Sequence, residues 1–189
     1  MDVSDTELMS LLAAGDDLAL NTLMVRWSGR VSSFLFRMTG QRETAIDLAQ
    51  ETFVKLYQAR SRYKPQGNFS TYLFAIAANL ARNHRRWQSR HPTVSLDSTD
   101  TDGEVLFPEP VDPKQTPGEV ALAREKSAIV TRAILSLAVD LREALTLFIY
   151  EGLGYAEIAE LTNCSPKAVE SRIYRARQIL KEQLKELRP

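Results

Sequence analysis

One predicted helix of this 189-residue chain carries an aromatic ring, an amide and two guanidinium groups on a single face. The four residues are Tyr72, Asn79, Arg82 and Arg86, and their spacing returns each to the same side of an α-helix. Aromatic rings stack on unpaired bases, and arginines hold phosphates. This tyrosine–arginine face is therefore a candidate for binding single-stranded nucleic acid. An ordinary amphipathic helix with a basic outer side explains the pattern equally well.

The charge around this helix is of one sign. Eight Lys and Arg residues, but no Asp or Glu, lie in the 45 residues between Glu51 and Asp97. Such a stretch is typical of a surface that binds phosphates, although a run of like charge can also be only a solvated face.

A second candidate for DNA binding lies near the C-terminus, where two short helices are predicted around a turn at Asn163. Asn163 tolerates a left-handed backbone, Ser165 is a good N-cap, and Pro166 suits a first helical position. Five cations and one acid, Glu170, lie between positions 165 and 181. The outward residues of the second helix are Lys167, Ser171, Tyr174, Arg175 and Gln178. This pattern favours a DNA-binding helix-turn-helix over a helical hairpin without that function.

The elements that position these residues all have helical periodicity. A Ser4–Glu7 capping box opens the first helix, and the third places Ala45, Leu48, Phe53 and Leu56 on one side. We predict helices at about 5–15, 17–38, 42–60, 69–90, 119–137, 140–151, 155–161 and from 166 onward. In the fourth helix, His84 and Trp87 are expected to continue the apolar stripe. The predicted fold class is all-α.

The helices fall into two small domains separated by a segment of different composition. Residues 91–118 carry five of the eight prolines and a net charge of −5, against +4 for residues 1–90 and +1 for residues 119–189. This segment is predicted to be an extended, acidic linker. Fully extended, it would reach at most ~90 Å, so the N-terminal module (residues 1–90) and the C-terminal module (residues 119–189) could occupy separated sites.

Composition excludes several classes of protein. A single cysteine, Cys164, is incompatible with a disulfide framework, and its simplest role is that of a small buried side chain. The N-terminal residues lack the pattern of a signal peptide, and the longest apolar runs fall short of a membrane span. We therefore expect a cytoplasmic protein without membrane insertion. With two histidines, no metal-ligand cluster and no glycine-rich phosphate loop, we expect neither an enzyme nor a cofactor.

Three motifs in this order resemble those of the extracytoplasmic-function class of bacterial sigma factors, which keeps only the second and fourth sigma regions. They occupy residues 47–53, residues 69–79, and residues 152–159 with 165–177. The resemblance covers nearly the whole chain. It implies a transcription initiation factor that binds core RNA polymerase and directs it to −10 and −35 promoter elements. It also implies response to a stress or envelope signal and control by an anti-sigma factor.

The resemblance also implies three sets of contact residues. The clamp helices of the largest polymerase subunit would be bound by Asp47, Gln50, Glu51 and Val54. The −10 strand would be bound by Asn68, Phe69, Tyr72, Asn79, Arg82, Arg85, Arg86 and Arg90. The −35 duplex would be bound by Ser165, Lys167, Ala168, Ser171, Arg172, Arg175 and Arg177.

The chain departs from the family pattern at a few positions. Gly154 replaces the usual Ser or Thr cap, and Glu170 stands where a lysine is common. In the family the linker runs toward the RNA exit channel, where its acids would mimic an RNA backbone. The acids concerned are Asp97, Asp100, Asp102, Glu104, Glu109 and Asp112. The alternative to a sigma factor is a stand-alone helix-turn-helix regulator whose N-terminal helices dimerise or sense a ligand.

Overall fold

The computed structural model describes residues 3–64, 67–91 and 116–185. These residues form eight α-helices and one turn of 3₁₀-helix, Arg60–Arg62, with no strand among them, so the all-α prediction is confirmed. The helices are α1 (Asp5–Ala13), α2 (Leu18–Thr39), α3 (Arg42–Ala59), α4 (Phe69–Arg90), α5 (Pro117–Ser136), α6 (Val139–Ile149), α7 (Tyr155–Thr162) and α8 (Pro166–Gln183).

A capping box fixes the start of α1, and a glycine cap fixes the end of α2. The Ser4 amide donates to the Glu7 carboxylate at 2.8 Å, and Glu7 N–H donates back to the Ser4 hydroxyl at 3.3 Å. This is the predicted capping box. Helix α2 ends at Thr39 and is capped by Gly40, whose φ of 74° is left-handed and therefore suits glycine.

The core of the N-terminal module lies between α2, α3 and α4. Phe34 and Phe74 are fully buried and meet edge to face, with their ring centroids 5.3 Å apart. The predicted apolar side of α3 faces this core, because Ala45, Leu48, Ala49, Phe53 and Leu56 are all buried. Packing of these faces leaves the opposite side of α3 free at the surface.

Two details of the predicted helices differ from the structure. Trp87 is 53% exposed and stacks on His91 at 5.0 Å, so it does not continue the buried stripe of α4. Helix α5 begins at Pro117, because Thr116 and Glu119 form a second capping box. Pro117 and Gly118 resemble linker residues, but proline is favoured in the first turn of a helix.

The C-terminal module contains the predicted helix-turn-helix. Asn163 has a left-handed φ of 51°, and the Ser165 hydroxyl accepts the Ala168 N–H at 3.2 Å. Val169, Ile173 and Ala176 bury one side of α8 against the module. Turn and cap therefore fix the direction in which α8 leaves α7.

The two modules pack against each other, a question that the sequence left open. Helix α2 contacts α5 and α6, helix α4 contacts α7, and one hydrophobic cluster joins both modules. Polar contacts reinforce this packing, since Arg142 donates to the carbonyl of Met38 at 3.0 Å and Arg30 pairs with Glu151 at 3.1 Å. Apart from His91 and residues 116–118, the predicted acidic linker lies outside the described residues.

Candidate nucleic-acid interface

The surface of α3 that faces away from the core is acidic at one end and apolar at the other. Asp47, Gln50 and Glu51 are exposed, and Val54 next to them is 51% exposed. Their spacing places these side chains on one face, opposite Phe53 and Leu56. This α3 face offers carboxylates, an amide and an apolar contact to a partner protein.

The tyrosine–arginine face lies on α4. Tyr72 is half-buried, and its ring meets that of Tyr63 edge to face at 5.1 Å. Burial, together with the neighbouring Tyr63, raises the pKa of Tyr72, so its hydroxyl stays protonated at neutral pH. Further along the face, the Arg82 guanidinium donates to the Asn79 side-chain oxygen at 2.5 Å.

The C-terminal half of α4 is basic and open to solvent. Arg85, Arg86 and Arg90 are exposed, and Arg86 donates to the Asn83 side chain at 2.7 Å. Guanidinium groups placed in this way are available to the phosphates of a nucleic-acid strand.

Phe69 is the exception among the residues expected to contact the −10 strand. It is only 4% exposed, and its ring packs edge to face on Trp27 at 5.6 Å. As the first residue of α4, it points into the module core, so it cannot stack on a base. Its contribution is to anchor the start of α4, next to the exposed Asn68.

Two glutamates of the C-terminal module bind residues of α4 and its N-cap. Arg82 Nη1 donates to Glu143 Oε1 at 2.5 Å. The side chains of Asn68 and Thr71 donate to Glu157 Oε1 at 2.9 and 2.6 Å. Burial raises the pKa of Glu143, against the opposing effect of Arg82. The hydrogen bond from Thr71 is the main cause that lowers the pKa of Glu157.

Sequence reasoning did not single out Thr71, Glu143 or Glu157 as partners across the modules. For Glu143, the sequence does contain a signal of burial, because this residue lies four positions before the buried Leu147 and next to the buried Ala144. An acid on the apolar side of a helix indicates a buried partner of opposite charge.

The outward side of α8 carries most of the predicted −35 contacts. Ser165, Lys167, Arg175 and Arg177 are exposed, and Arg175 donates to the Ser171 hydroxyl at 3.1 Å. Arg177 lies over the ring of Phe148 at 5.2 Å, toward the edge of this surface. Ala168 is half-buried, which limits it to an apolar contact.

Arg172 is held by its own module. Its Nη1 donates to Cys164 Sγ at 3.4 Å, and its Nε lies 3.5 Å from the carboxylate of Asp140. Cys164 is therefore half-buried beneath the turn and the recognition helix rather than free in solvent. The Arg172 guanidinium must therefore break its contacts with Cys164 and Asp140 before it can bind DNA.

Within residues 3–64, 67–91 and 116–185, no cluster of His, Cys, Asp and Glu side chains has the grouping that a metal ion needs. Among the eight helices that the described residues form, none combines the length and the apolar character required to cross a membrane.

The chain matches two family models, Sigma-70 region 2 over residues 23–91 and Sigma-70 region 4 over residues 127–180. It is 34% identical over 184 residues to the RNA polymerase sigma-H factor of Pseudomonas aeruginosa, covering 97% of this chain and 95% of that one. It is also 34% identical over 194 residues to the ECF RNA polymerase sigma-E factor of Escherichia coli K12, covering 98% and 96% of the two chains.

A solved structure with a similar fold is that of CnrH in complex with the cytosolic domain of CnrY. It superposes with a TM-score of 0.66 at 26% identity, covering 96% of this chain and 97% of that one. Together with the helix-turn-helix and the basic α4 surface, these matches identify the family. The chain belongs to the extracytoplasmic-function sigma factors of the sigma-70 family, which direct RNA polymerase to promoters.

Proposed function

We propose that three surfaces, on α3, α4 and α8, make the three contacts that a sigma factor needs. The N-terminal module, residues 1–90, binds core polymerase and the −10 element, and the C-terminal module, residues 119–189, binds the −35 element. The proposal rests on one observation. The α3 face, the tyrosine–arginine face of α4 and the outward side of α8 lie on three different helices. Each surface can therefore engage its own partner in one complex.

The α3 face, with Asp47, Gln50, Glu51 and Val54, is the proposed docking surface for the clamp helices of the largest polymerase subunit. Two carboxylates beside an exposed valine offer charge at the rim and an apolar contact within it. This arrangement fits a partner helix that presents basic residues around an apolar stripe.

On α4, Tyr72 and Asn79 are proposed to hold an unstacked base of the −10 strand, with Asn68 at the start of the helix. Arg82, Arg85, Arg86 and Arg90 are proposed to hold the phosphates that follow. Stacking and phosphate contacts of this kind stabilise a separated strand without requiring catalysis.

On α8, Lys167, Ser171 and Arg175 are proposed to enter the major groove of the −35 duplex. Ser165, Arg172 and Arg177 lie at the borders of this surface. The N-terminal half of a recognition helix is the part that reaches base edges, and its capped end also favours phosphate contacts.

We further propose that an anti-sigma factor, responding to a stress or envelope signal, controls this cytoplasmic initiation factor, which itself performs no catalysis. The support is the similarity to CnrH, whose solved structure includes the cytosolic domain of its partner CnrY.

The decisive experiment is transcription in vitro with purified core RNA polymerase, this chain and a library of promoter-length DNA sequences. We expect transcripts that start at a fixed distance from a shared pair of sequence elements, and only when the chain is present. Transcription that is independent of the chain, combined with tight binding of the chain alone to duplex DNA, would instead identify a stand-alone helix-turn-helix regulator.

A further inference from the structure

A row of aromatic rings lies at the C-terminal end of α4. Its members, His84, Trp87 and His91, are three and four residues apart, so their side chains are neighbours along one side of the helix. The rings of Trp87 and His91 stack, with their centroids 5.0 Å apart and their planes 23° from parallel. The ring of His84 lies 6.4 Å from that of Trp87. These three rings form the α4 ring row.

Trp87 is the unusual member of this row, because a tryptophan ring gains free energy when it is buried. Trp87 is 53% exposed, and His91 beside it is exposed as well. The other tryptophan, Trp27, is buried, packs on Phe69 and donates its indole N–H to Asp5 at 3.0 Å. Trp27 therefore serves the core, whereas the indole of Trp87 presents more than half of its surface to a ligand.

The ring row borders the basic end of the tyrosine–arginine face. Arg90 follows Trp87 by three residues and Asn83 precedes it by four, so both are neighbours of the indole on the helix surface. Asn83 accepts a hydrogen bond from Arg86 at 2.7 Å, and Arg86 and Arg90 are exposed. Helix α4 carries no Asp or Glu. A ligand on the ring row therefore meets guanidinium groups, and no carboxylate, along α4.

Open rings beside guanidinium groups fit an unpaired nucleic-acid base. Every base has a π-face that stacks on an aromatic side chain, and guanidinium groups bind the phosphates on either side of that base. An apolar protein surface would also bury Trp87, but it would desolvate Arg86 and Arg90 without supplying counter-charges. A base within a duplex has no open face, since its neighbours in the stack cover both sides. The chemistry therefore favours a separated DNA strand.

The ring row is far from the base site proposed around Tyr72. Trp87 lies 15 residues further along α4, which corresponds to about 22 Å at a rise of 1.5 Å per residue. Successive nucleotides of one strand in a duplex advance by only ~3.4 Å, so this distance spans several nucleotides. A base on Trp87 is therefore a different base from the one held by Tyr72.

We propose that Trp87, together with His91, forms a second stacking site of the −10 surface, in which an unpaired base lies against the indole while Arg86 and Arg90 hold the adjoining phosphates. This inference rests on the proposed function of α4 and extends it. Phosphate contacts do not depend on whether a base is paired, whereas ring contacts require an open base. The ring row thus adds a preference for separated over paired DNA at this end of the helix.

The test uses the full-length chain, the variant Trp87→Leu and a 12-nucleotide oligothymidine that carries a fluorescent label. Leucine keeps apolar bulk and helix propensity but removes the ring. Trp87→Phe keeps a ring at the same position. The matched control is Leu122→Ala, which removes an apolar side chain that is 51% exposed on α5. Fluorescence anisotropy gives the Kd of each protein at several salt concentrations.

We expect Trp87→Leu to raise the Kd about tenfold relative to the control, because the stacking of a base on the indole is lost. The slope of log K against log salt should stay unchanged, since no charge is removed, whereas Arg90→Ala should reduce it by about 0.7. Trp87→Phe should retain most of the affinity. An unchanged Kd for Trp87→Leu would overturn the proposal. Equal losses for Trp87→Leu and Trp87→Phe would also overturn it, since a ring would then not be what binds.

Tryptophan fluorescence provides a readout that a merely structural role of Trp87 would not change. The chain has two tryptophans, so the difference between the spectra of wild type and Trp87→Phe is the signal of Trp87. We expect unlabelled oligothymidine to quench this signal, because a stacked base quenches indole fluorescence. Binding without quenching would contradict the stacking site. If circular dichroism shows that Trp87→Leu is unfolded, quenching in the wild-type chain decides.

Promoter-directed transcription by the wild-type chain is measured in parallel. Its absence would contradict the proposed function of the chain. Normal transcription, combined with neither quenching of Trp87 nor a loss of affinity in Trp87→Leu, would contradict only the second stacking site.

Discussion

At position 69, sequence and structure assign different roles to one phenylalanine. Its place in the motif at residues 69–79 suggests a base contact, whereas the structure buries the ring against Trp27. We expect Phe69→Ala to lower the free energy of unfolding by about 3–5 kcal/mol, the usual cost of removing a buried aromatic ring. Urea denaturation measures this loss. The matched variant Phe69→Leu should retain most of the stability and bind single-stranded DNA as the wild-type chain does.

Asp47 and Glu51 of the α3 face are exposed, so substituting them tests binding of a partner without disturbing the core. We expect Asp47→Ala with Glu51→Ala to weaken binding of core polymerase while changing stability by no more than about 0.5 kcal/mol per site, because both side chains are exposed. Surface-immobilised core polymerase provides the measurement. Glu125→Ala with Glu160→Ala removes equal charge elsewhere, and a similar loss of binding in that control would show that only net charge matters.

Residues whose partners are close in sequence were predictable, and those with distant partners were not. The Ser4–Glu7 cap and the left-handed Asn163 depend on their own few neighbours. The bonds of Thr71 and Glu143, in contrast, join residues 86 and 61 positions apart, respectively. No period or cap along the chain specifies such a pair.

Among the elements, helix α8 permits a test of which side faces DNA. Lys167 and Arg175 are exposed on the side opposite Val169 and Ile173. We expect Lys167→Ala with Arg175→Ala to weaken binding to a 30-base-pair duplex of random sequence. Each lost phosphate contact should reduce the slope of log K against log salt by about 0.9. A weaker affinity with an unchanged slope would show that these two residues contact base edges rather than phosphates.

The helices themselves followed from periodicity and capping, and the errors have local causes. Trp87 was placed on the apolar stripe of α4 because its spacing fits, but the helix extends beyond the body of the module at that point and leaves the ring beside His91. Periodicity gives the side of a helix on which a residue lies. It does not give the length over which a neighbouring helix covers that side.

At the scale of the whole molecule, the packing of the modules introduces a dependence on pH. Glu151 is 7% exposed where α6 ends, facing Arg30 and Arg37 of α2. Burial raises its pKa to about 7, and the two arginines oppose this only in part. A raised pKa means that the packed protein binds a proton more tightly than the unfolded chain. The stabilisation is therefore complete below the ordinary pKa of glutamate and is lost as the pH rises through about 7.

We expect the wild-type chain to lose stability relative to Glu151→Gln between pH 5 and pH 8, by up to about 3 kcal/mol at 1.36 kcal/mol per pKa unit. Urea denaturation of both proteins across this range measures the difference. Glu170→Gln, at an exposed position, should show the same pH dependence of the free energy of unfolding as the wild-type chain. If the free energy of unfolding of Glu151→Gln also changes with pH as that of the wild-type chain does, the Glu151 carboxyl is not buried between the modules in solution.

Packing of the modules was the largest feature that the sequence could not supply. It depends on complementary shapes of α2 and the α5–α6 corner, where Leu135 lies 3.4 Å from the position that a Cβ would take on Gly40. A predicted linker of 28 residues is equally compatible with packed and separated modules. Composition therefore gave the two domains and their order but not their contact.

The two oxygens of Glu157 are bound to different parts of the chain. Its Oε2 accepts the Gly154 N–H at 2.8 Å and caps α7, while Oε1 receives the bonds from Asn68 and Thr71. Loss of the contact between the modules would therefore break only the bonds to Oε1 and leave the first turn of α7 capped. Amide hydrogen exchange at the start of α7 should then be equally slow whether or not the modules are in contact. The helix-turn-helix would reach its duplex already folded, with no ordering entropy lost at that encounter.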